Sequence, residues 1–421
     1  MKAVVFTLGC KVNSSESASL VHGLEERGYT VYDELVYADI YILNTCAVTG
    51  EAEKKSRQAI ARVRSINPDA KIFVCGCASQ HNPQSFMDKN VDLILGANHK
   101  SKILEYVDRM QAELIDVEQA IFDTVTGMEE SNTFEELPTT KYFQKRAYIK
   151  VQDGCNKFCT YCIIPYLRGR TRSRTLASIQ QEIANSNALE FVITGIDLSS
   201  FDDNGKDLAD LMQALANCKG RIRLSSLEVG VITDKLLATL KSMPNFAPHF
   251  HLSLQSGSNN VLKKMNRKYT REEFIQAVQK IRTIFPNVAI TTDIIVGFPN
   301  ETEQDFLETM SIVKICNFSQ IHAFPYSKRE GTVAAKWIDL DSKIKKERLH
   351  RLLQLAKEQQ QEYERQFINE NLQFIPEEVQ GEYTVGYSEN YIRLYYKGEC
   401  KEPCLVQAVK AYEQGLLVKE M

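Results

Sequence analysis

Three cysteines, Cys155, Cys159 and Cys162, stand within the stretch GCNKFCTYCIIP. A tetrahedral structural zinc site takes four ligands and a disulfide takes two. Three thiolates therefore describe a metal centre with one coordination position left for another molecule. The C-x3-C-x2-C spacing suits an iron–sulfur cluster, which cysteines hold; a zinc knuckle or a redox dithiol is the competing use. A second group comprises Cys10 in TLGCKVN, Cys46 in LNTCAVT, and Cys75 and Cys77 in VCGCASQ. Each follows the end of a strand-like run, and such ends converge on one crevice in an open parallel sheet. These thiols either meet around a second cluster or are buried structural cysteines.

Strands and helices must bring such thiols together. Up to about residue 125 the strand-like runs KAVVFTL, ADIYILNT, KIFVCG and VDLILGA alternate with helix-like runs. The latter include SSESASLVHGLEERG, opened by capping-type serines, and EAEKKSRQAIARVRSI. The pattern predicts an open, mostly parallel α/β domain over residues 1–125. Met128–Lys141 is polar, acidic and aperiodic, and reads as a linker. From Tyr142 the alternation resumes with AYIKVQ, EFVIT, RIRLSS, HFHLSL, VAITTDIIV and SQIHAF, with helices between them. This predicts a (β/α)6 partial barrel over 142–371, closed by the amphipathic run Asp341–Asn371. GCNKFCTYC directly follows its first strand, at the end of a parallel barrel that carries function. Residues 373–421 are aromatic and β-rich, with turn signals at SEN and KG, and read as a small β domain. The fold class is α/β.

A chain of 421 residues, 43% hydrophobic and 25% charged, is globular in composition with room for two or three domains. Mean hydropathy is −0.29, and no apolar run reaches the roughly 18 residues of a membrane span. MKAVVFTLGCKVNSSES reads as a first strand rather than a signal peptide, so the expected location is cytoplasmic. There, eleven cysteines point to metal ligands before a disulfide framework. Cys218 and Cys316 lie in helical stretches and read as core, and Cys400 and Cys404 as inert thiols. A net charge of −3 gives the whole molecule no attraction for nucleic acid. Locally, YLRGRTRSR sets Arg168, Arg170, Arg172 and Arg174 at alternate positions, on one face if the segment is extended. They form either a solvated basic strand or a contact to substrate or cofactor.

The C-x3-C-x2-C loop resembles the radical S-adenosylmethionine superfamily. TLGCKVN, LNTCAVT, GCASQ, GCNKFCTYCIIPYLRGRTRSR, RIRLSSLE, HLSLQSGSNNVLKKMNRKYT and TDIIVGFPNETEQDF, in this order, resemble its methylthiotransferases over nearly the whole chain. The resemblance implies two [4Fe-4S] clusters, one on Cys155, Cys159 and Cys162 and one on Cys10, Cys46 and Cys77, with Cys75 an extra thiol in a strand. It implies no catalytic side chain beyond these ligands. It implies two molecules of S-adenosylmethionine, one a methyl donor and one a radical source, with cofactor contacts at Tyr161, Gln255 and Asp293. In the strand TTDIIVGFPNET the superfamily pattern G-x-I-x-G-x-x-E meets Asp293 in its first slot and Asn300 in its last, with Glu301 one residue late. Branches of the family act on isopentenyl- or threonylcarbamoyl-adenosine beside the tRNA anticodon, or on an aspartate of a ribosomal protein. TLGCKVN, LSSLE and HAFPYSKREGTVAA resemble the threonylcarbamoyl branch. The implied partners are a tRNA anticodon loop, an electron donor and a sulfur source. The tail resembles the small RNA-binding TRAM module. It holds more glutamate than lysine and arginine, and Tyr387, Tyr391, Tyr395 and Tyr396 serve either RNA contact or a barrel core.

Overall fold

Apolar runs without polar alternation make strands covered on both faces, and the first such runs pair in parallel. In the computed structural model, which describes residues 1–87, 89–111, 133–137, 139 and 145–421, β1 (Lys2–Thr7), β2 (Thr30–Tyr32), β3 (Ile40–Thr45), β4 (Lys71–Gly76) and β5 (Leu93–Ile94) form one sheet. Its order is β2-β1-β3-β4-β5 and every pairing is parallel. The short strand β2 was not expected from the sequence. Val4, Leu43 and Val74 pack with the helix Gly50–Ile66 on one face. Val5, Ile42 and Phe73 pack with the helix Lys11–Glu26 on the other. The order reverses between β1 and β3, the point where open sheets of this kind bind ligands beyond the strand ends. Much of the expected linker Met128–Lys141 lies outside the described residues.

One expectation is corrected at the first helix. It starts at Lys11, not at the serines, and Cys10 takes the N-cap position in extended conformation, φ −92° and ψ 169°. Ser15, Ser17 and Ser19 are buried within the helix. A helix face that covers another domain replaces the solvent-facing cap that serines usually serve.

The second sheet begins with β6 (Arg146–Asp153), edged by the antiparallel pair of residues β7 (Arg172–Ser173). β8 (Glu190–Gly195), β9 (Arg221–Leu224), β10 (Ser226–Leu227), β11 (His249–Leu252), β12 (Ala289–Val296) and β13 (Gln320–Pro325) follow in parallel. β9 and β10 are one run broken at Ser225, and a parallel bridge from Ile222 to Phe246 carries the sheet across the break. The barrel strands expected from the sequence are thus present. Capping boxes start three of the covering helices, Asp207 with Asp210, Thr270 with Glu273 and Thr302 with Asp305. The helix Ser342–Arg365 opens on Asp341 and lays Leu352 and Ala356 on the core.

The tail makes a closed barrel of β14 (Asn371–Gln380), β15 (Tyr383–Tyr387), β16 (Arg393–Lys397), β17 (Cys404–Tyr412) and β18 (Gly415–Glu420), in the order β14-β15-β16-β18-β17. Buried Glu190 holds Arg146, Arg221 and Arg223 near the start of the second sheet. Those arginines clamp the barrel to the sheet. Arg221 donates to the Tyr387 carbonyl and Arg223 to those of Ser388 and Glu389, each at 3.1 Å. Arg146 pairs with Glu377 at 2.5 Å.

Candidate iron–sulfur and cofactor site

The chain leaves β6 through Gly154, whose φ is +68° and whose added Cβ would lie 1.9 Å from the Arg170 carbonyl oxygen. Only glycine turns there. The loop beyond it brings Cys155, Cys159 and Cys162 to the wall of a cavity of about 680 Å³. The Lys157 amide points at Cys155 Sγ from 3.4 Å, and Arg267 Nη1 at Cys159 Sγ from 3.4 Å. Burial pushes the Cys155 and Cys162 thiols up to about 12. Metal binding would therefore displace protons from these sulfurs, and the donors aimed at them favour the thiolates that result.

Cys10, Cys46 and Cys77 line the same cavity. They follow β1, β3 and β4, so the first two straddle the point where the strand order reverses. Gly9, at φ +103°, lets them close together: an added Cβ would lie 2.6 Å from Cys46 Cβ and 2.7 Å from its sulfur. Cys75, one strand residue earlier than Gly76, turns to the opposite face and packs with Val5 and Phe73. Of the two thiols in VCGCASQ, Cys77 faces the cavity. Burial raises Cys10, and pushes Cys46 up to about 12.

The charge beneath this second set fits anionic sulfur. Arg168 is wholly buried; its Nε donates to Cys77 Sγ at 3.3 Å and its Nη2 to Asn13 Oδ1 at 2.9 Å. Its Nη1 pairs with Glu16 at 2.9 Å and Asp153 at 3.2 Å. Glu16 also pairs with Lys100 and Lys150, and Asp153 with Lys150 and Arg172. Burial alone would raise the Glu16 carboxyl, but Arg168, Lys100 and Lys150 outweigh it and hold it well below the usual range. Four cations thus face two carboxylates, leaving two positive charges in excess beside three cysteines. Among the described residues no three His, Cys, Asp or Glu side chains converge tightly enough for a single ion. A multi-iron cluster holds its cysteines further apart than one ion does, so both thiol sets fit a cluster by chemistry and charge.

Tyr161, Gln255 and Asp293 also line the cavity. Gln255 has φ +63° and bridges to β12, its amide donating to the Asp293 carbonyl at 2.8 Å. Asp293 lies 3.1 Å from His251 Nε2; burial raises its carboxyl, and His251, His322 and Lys11 bring it below the ordinary value. Glu301 does not line the cavity: it accepts from the Gly297 amide at 3.0 Å and pairs with Arg348 at 2.6 Å, fixing the turn after β12.

The arginine expectation is corrected. Residues Ile164–Arg168 form a helical turn and only Arg172–Ser173 is extended, so the alternation never makes one face. Arg168, Arg172 and Arg174 are buried, the last paired with Glu182; Arg170 alone is exposed, over the Phe158 ring at 4.8 Å. Glu16 and Asp153, remote in sequence, draw the first two inward. Asn13, Glu16, Lys11, Asp197, Glu228 and Arg267 went unrecognised in the sequence, and Tyr391 was singled out for RNA contact or a barrel core but not for this cavity. A polar stripe at Asn13, Glu16 and Ser17 on a helix was the legible signal for the first pair. Tyr391, at φ +64°, stacks on His249 at 4.6 Å and carries the C-terminal barrel to the cavity wall. Tyr395 is buried, while Tyr396 stacks on Phe374 within the barrel.

A sheet of parallel strands with a three-cysteine loop after its first strand defines a radical S-adenosylmethionine enzyme. Residues 149–313 match the Radical SAM superfamily, and residues 2–96 match the uncharacterized protein family UPF0004. The threonylcarbamoyladenosine tRNA methylthiotransferase MtaB of Bacillus subtilis (strain 168) is 40% identical, covering 94% of this chain and 91% of the relative. Its namesake in Thermotoga maritima is 37% identical, covering 94% and 92%. A tRNA-2-methylthio-N(6)-dimethylallyladenosine synthase of Alkaliphilus oremlandii is 36% identical, covering 89% and 82%. The chain belongs to the radical S-adenosylmethionine methylthiotransferases. In fold it is similar to the radical S-adenosylmethionine methyltransferase TsrM from Kitasatospora setae, with TM-score 0.60 at 12% identity, covering 79% of this chain and 77% of that one. Among the described residues, no helix is long and apolar enough to cross a membrane.

Proposed function

We propose that this enzyme adds a methylthio group to C2 of N6-threonylcarbamoyladenosine next to the anticodon of tRNA. Two clusters and two molecules of S-adenosylmethionine serve the reaction. The observation that carries this reading is that Cys155, Cys159 and Cys162 share one cavity wall with Cys10, Cys46 and Cys77. A methylthio transfer needs a centre that makes a carbon radical and a sulfur-bearing centre within reach of the same carbon; one cavity with two thiol sets provides both. The bound clusters and S-adenosylmethionine supply the one-electron chemistry that removes hydrogen from an unactivated C–H bond, which general bases cannot do.

The chain's own residues hold and orient. Cys155, Cys159 and Cys162 would hold the cluster that S-adenosylmethionine joins, with Arg267 and the Lys157 amide supporting the sulfurs. Tyr161, Gln255 and Asp293 line the space for the cofactor's adenosyl and methionyl parts. Cys10, Cys46 and Cys77 would hold the second cluster, beside the excess positive charge around Arg168. The relatives named for threonylcarbamoyladenosine at 40% and 37% identity support the substrate.

Mass spectrometry of tRNA nucleosides from cells with and without the gene tests the reading. The methylthio-threonylcarbamoyl nucleoside disappears on deletion and its precursor accumulates. Cys75→Ala restores it and Cys77→Ala does not. Loss of the isopentenyl derivative instead would refute the substrate, and restoration by Cys77→Ala would refute the ligand set.

A further inference from the structure

Four lysines and arginines line the six-cysteine cavity: Lys11, Lys157, Arg168 and Arg267. Three are ion-paired to carboxylates of the chain. Lys157 pairs with Glu228 at 3.1 Å, Arg267 with the same carboxylate at 2.9 Å, and Arg168 with Glu16 at 2.9 Å. Lys11 differs. Among the described residues its ammonium has neither an ion pair nor a hydrogen bond, and it is half-buried beside the cavity. Its charged surroundings are Arg146, Arg223, Asp293 and Glu190, with the arginines already committed to Glu190 and the C-terminal barrel. Asp293 is engaged by His251.

A cation withdrawn from water without a counter-ion is unfavourable, and proteins otherwise pair such groups. Asp293 and Glu190 act on this ammonium only through space, so its donors stay open to an anion that arrives with a ligand. The helix that bears Lys11 also bears Asn13 and Glu16, so the ammonium is held on the scaffold of the second thiol set rather than on a mobile loop. Of the adenosine substituents the family modifies, the isopentenyl group is a hydrocarbon with no charge. The threonylcarbamoyl group ends in a carboxylate.

We propose that Lys11 is a specificity-determining residue that receives the carboxylate of the threonylcarbamoyl substituent. The inference rests on the substrate reading above and deepens it. An ammonium–carboxylate contact formed on binding rewards the acid, and the isopentenyl nucleoside leaves the lysine unpaired, so the same residue accepts one substrate and rejects the other. The carboxylate of S-adenosylmethionine and the anionic sulfur held at the neighbouring Cys10 are the other sources of this chemistry in the cavity; the acid-to-ester ratio separates the substrate carboxylate from both.

The experiment measures affinity of the cluster-loaded full chain for anticodon stem-loops carrying threonylcarbamoyladenosine or its methyl ester, and for S-adenosylmethionine. The wild type prefers the acid to the ester by roughly tenfold or more, as expected of a charge-assisted contact. Lys11→Gln abolishes the preference, Lys11→Arg restores most of it, and neither changes S-adenosylmethionine affinity. A wild type that binds acid and ester equally, or a Lys11→Gln variant that keeps the ratio, overturns the inference while leaving threonylcarbamoyl turnover intact. Loss of S-adenosylmethionine binding in Lys11→Gln with the ratio preserved assigns the lysine to the cofactor and also overturns it. A wild type that turns over only the isopentenyl stem-loop removes the substrate reading itself, and the inference falls with it.

Discussion

Arg168→Met tests the central electrostatic argument. The methionine keeps an unbranched apolar stem, two atoms shorter than arginine's, and removes every donor. Cys77 Sγ loses its guanidinium contact at 3.3 Å, Asn13 Oδ1 loses one at 2.9 Å, and Glu16 and Asp153 each lose a partner. Breaking a buried ion pair from one side destabilises by about 3–5 kcal/mol when the remaining charge is left alone. Here Glu16 keeps Lys100 and Lys150, and Asp153 keeps Lys150 and Arg172, so the lower end, about 3 kcal/mol, applies. At roughly 2–4 °C per kcal/mol for a unit of this size, the metal-free chain melts about 6–12 °C lower. Differential scanning calorimetry of the metal-free chain reads that shift, and iron per chain after reconstitution reads the second effect. The excess positive charge beside Cys10, Cys46 and Cys77 halves, so iron uptake falls toward that of a Cys77→Ala variant. Arg168→Lys keeps the charge without the planar fork and lies between. A methionine variant that melts within about 2 °C of wild type and takes up the same iron refutes the argument. Weakened tRNA binding with stability unchanged would restore the surface role that the alternating arginines suggested.

Gly9→Ala places a methyl against Cys46 on a backbone at φ +103°. Strain and overpacking together destabilise by about 2–4 kcal/mol, and iron content falls to that of Cys46→Ala; full iron loading would sink this account of the turn. A pH effect follows from Glu53, which joins His81 at 3.4 Å to Arg329 at 2.6 Å across the two sheets' domains. Hydrogen bonding to His81, then Arg329, holds the Glu53 carboxyl near 2, and Glu53 in turn raises His81. The carboxylate's contribution, about 1–3 kcal/mol after screening, is present above its unfolded value near 4.3 and fades as pH falls toward 2. The histidine's is complete below its unfolded value near 6.5 and fades as pH rises through the raised folded value. Melting curves of wild type and His81→Gln should therefore converge on the alkaline side; a gap that widens there contradicts the assignment.

The strands and the cysteines were legible because each rests on local pattern. Apolar runs such as IYILNT and KIFVCG have no polar face to expose, so they pair within a covered sheet, and thiols placed after them meet by topology. Cys77 was set above Cys75 by the family resemblance alone: residues two apart share a strand face, and it is Gly76, at φ +108°, with the helical turn that begins at Cys77, that parts the two thiols. The arginines were illegible because their environment is not local. Alternation over Arg168–Arg174 says extended strand, but Gly154 demands that the chain fold back on the cysteine loop, and Glu16 and Asp153 pull the side chains inside. Burial of a cation is decided by where the nearest carboxylates stand in space, which period-two counting does not see.

The helix Lys11–Glu26 illustrates how one element can serve several sites without an obvious sequence signature. Its serine-rich start looks like a cap, yet the cap position belongs to Cys10, and part of its buried face is polar because it covers polar partners, while Leu20, Val21 and Leu24 cover the sheet core. Asn13 ties the ends of β1 and β3 by donating to the Leu8 and Thr45 carbonyls at 2.8 and 3.0 Å, which fixes the approach of Cys10 to Cys46. Glu16 reaches Lys150 on β6 and Arg168 beyond the cysteine loop, which fixes the N-terminal sheet against the second one. The two thiol sets are then held relative to one another by ion pairs from this helix together with the Glu53–Arg329 pair and the packing of Ile163, Ile164 and Leu167 on the N-terminal core. Loss of Glu16 should loosen one thiol set from the other while each sheet stays folded.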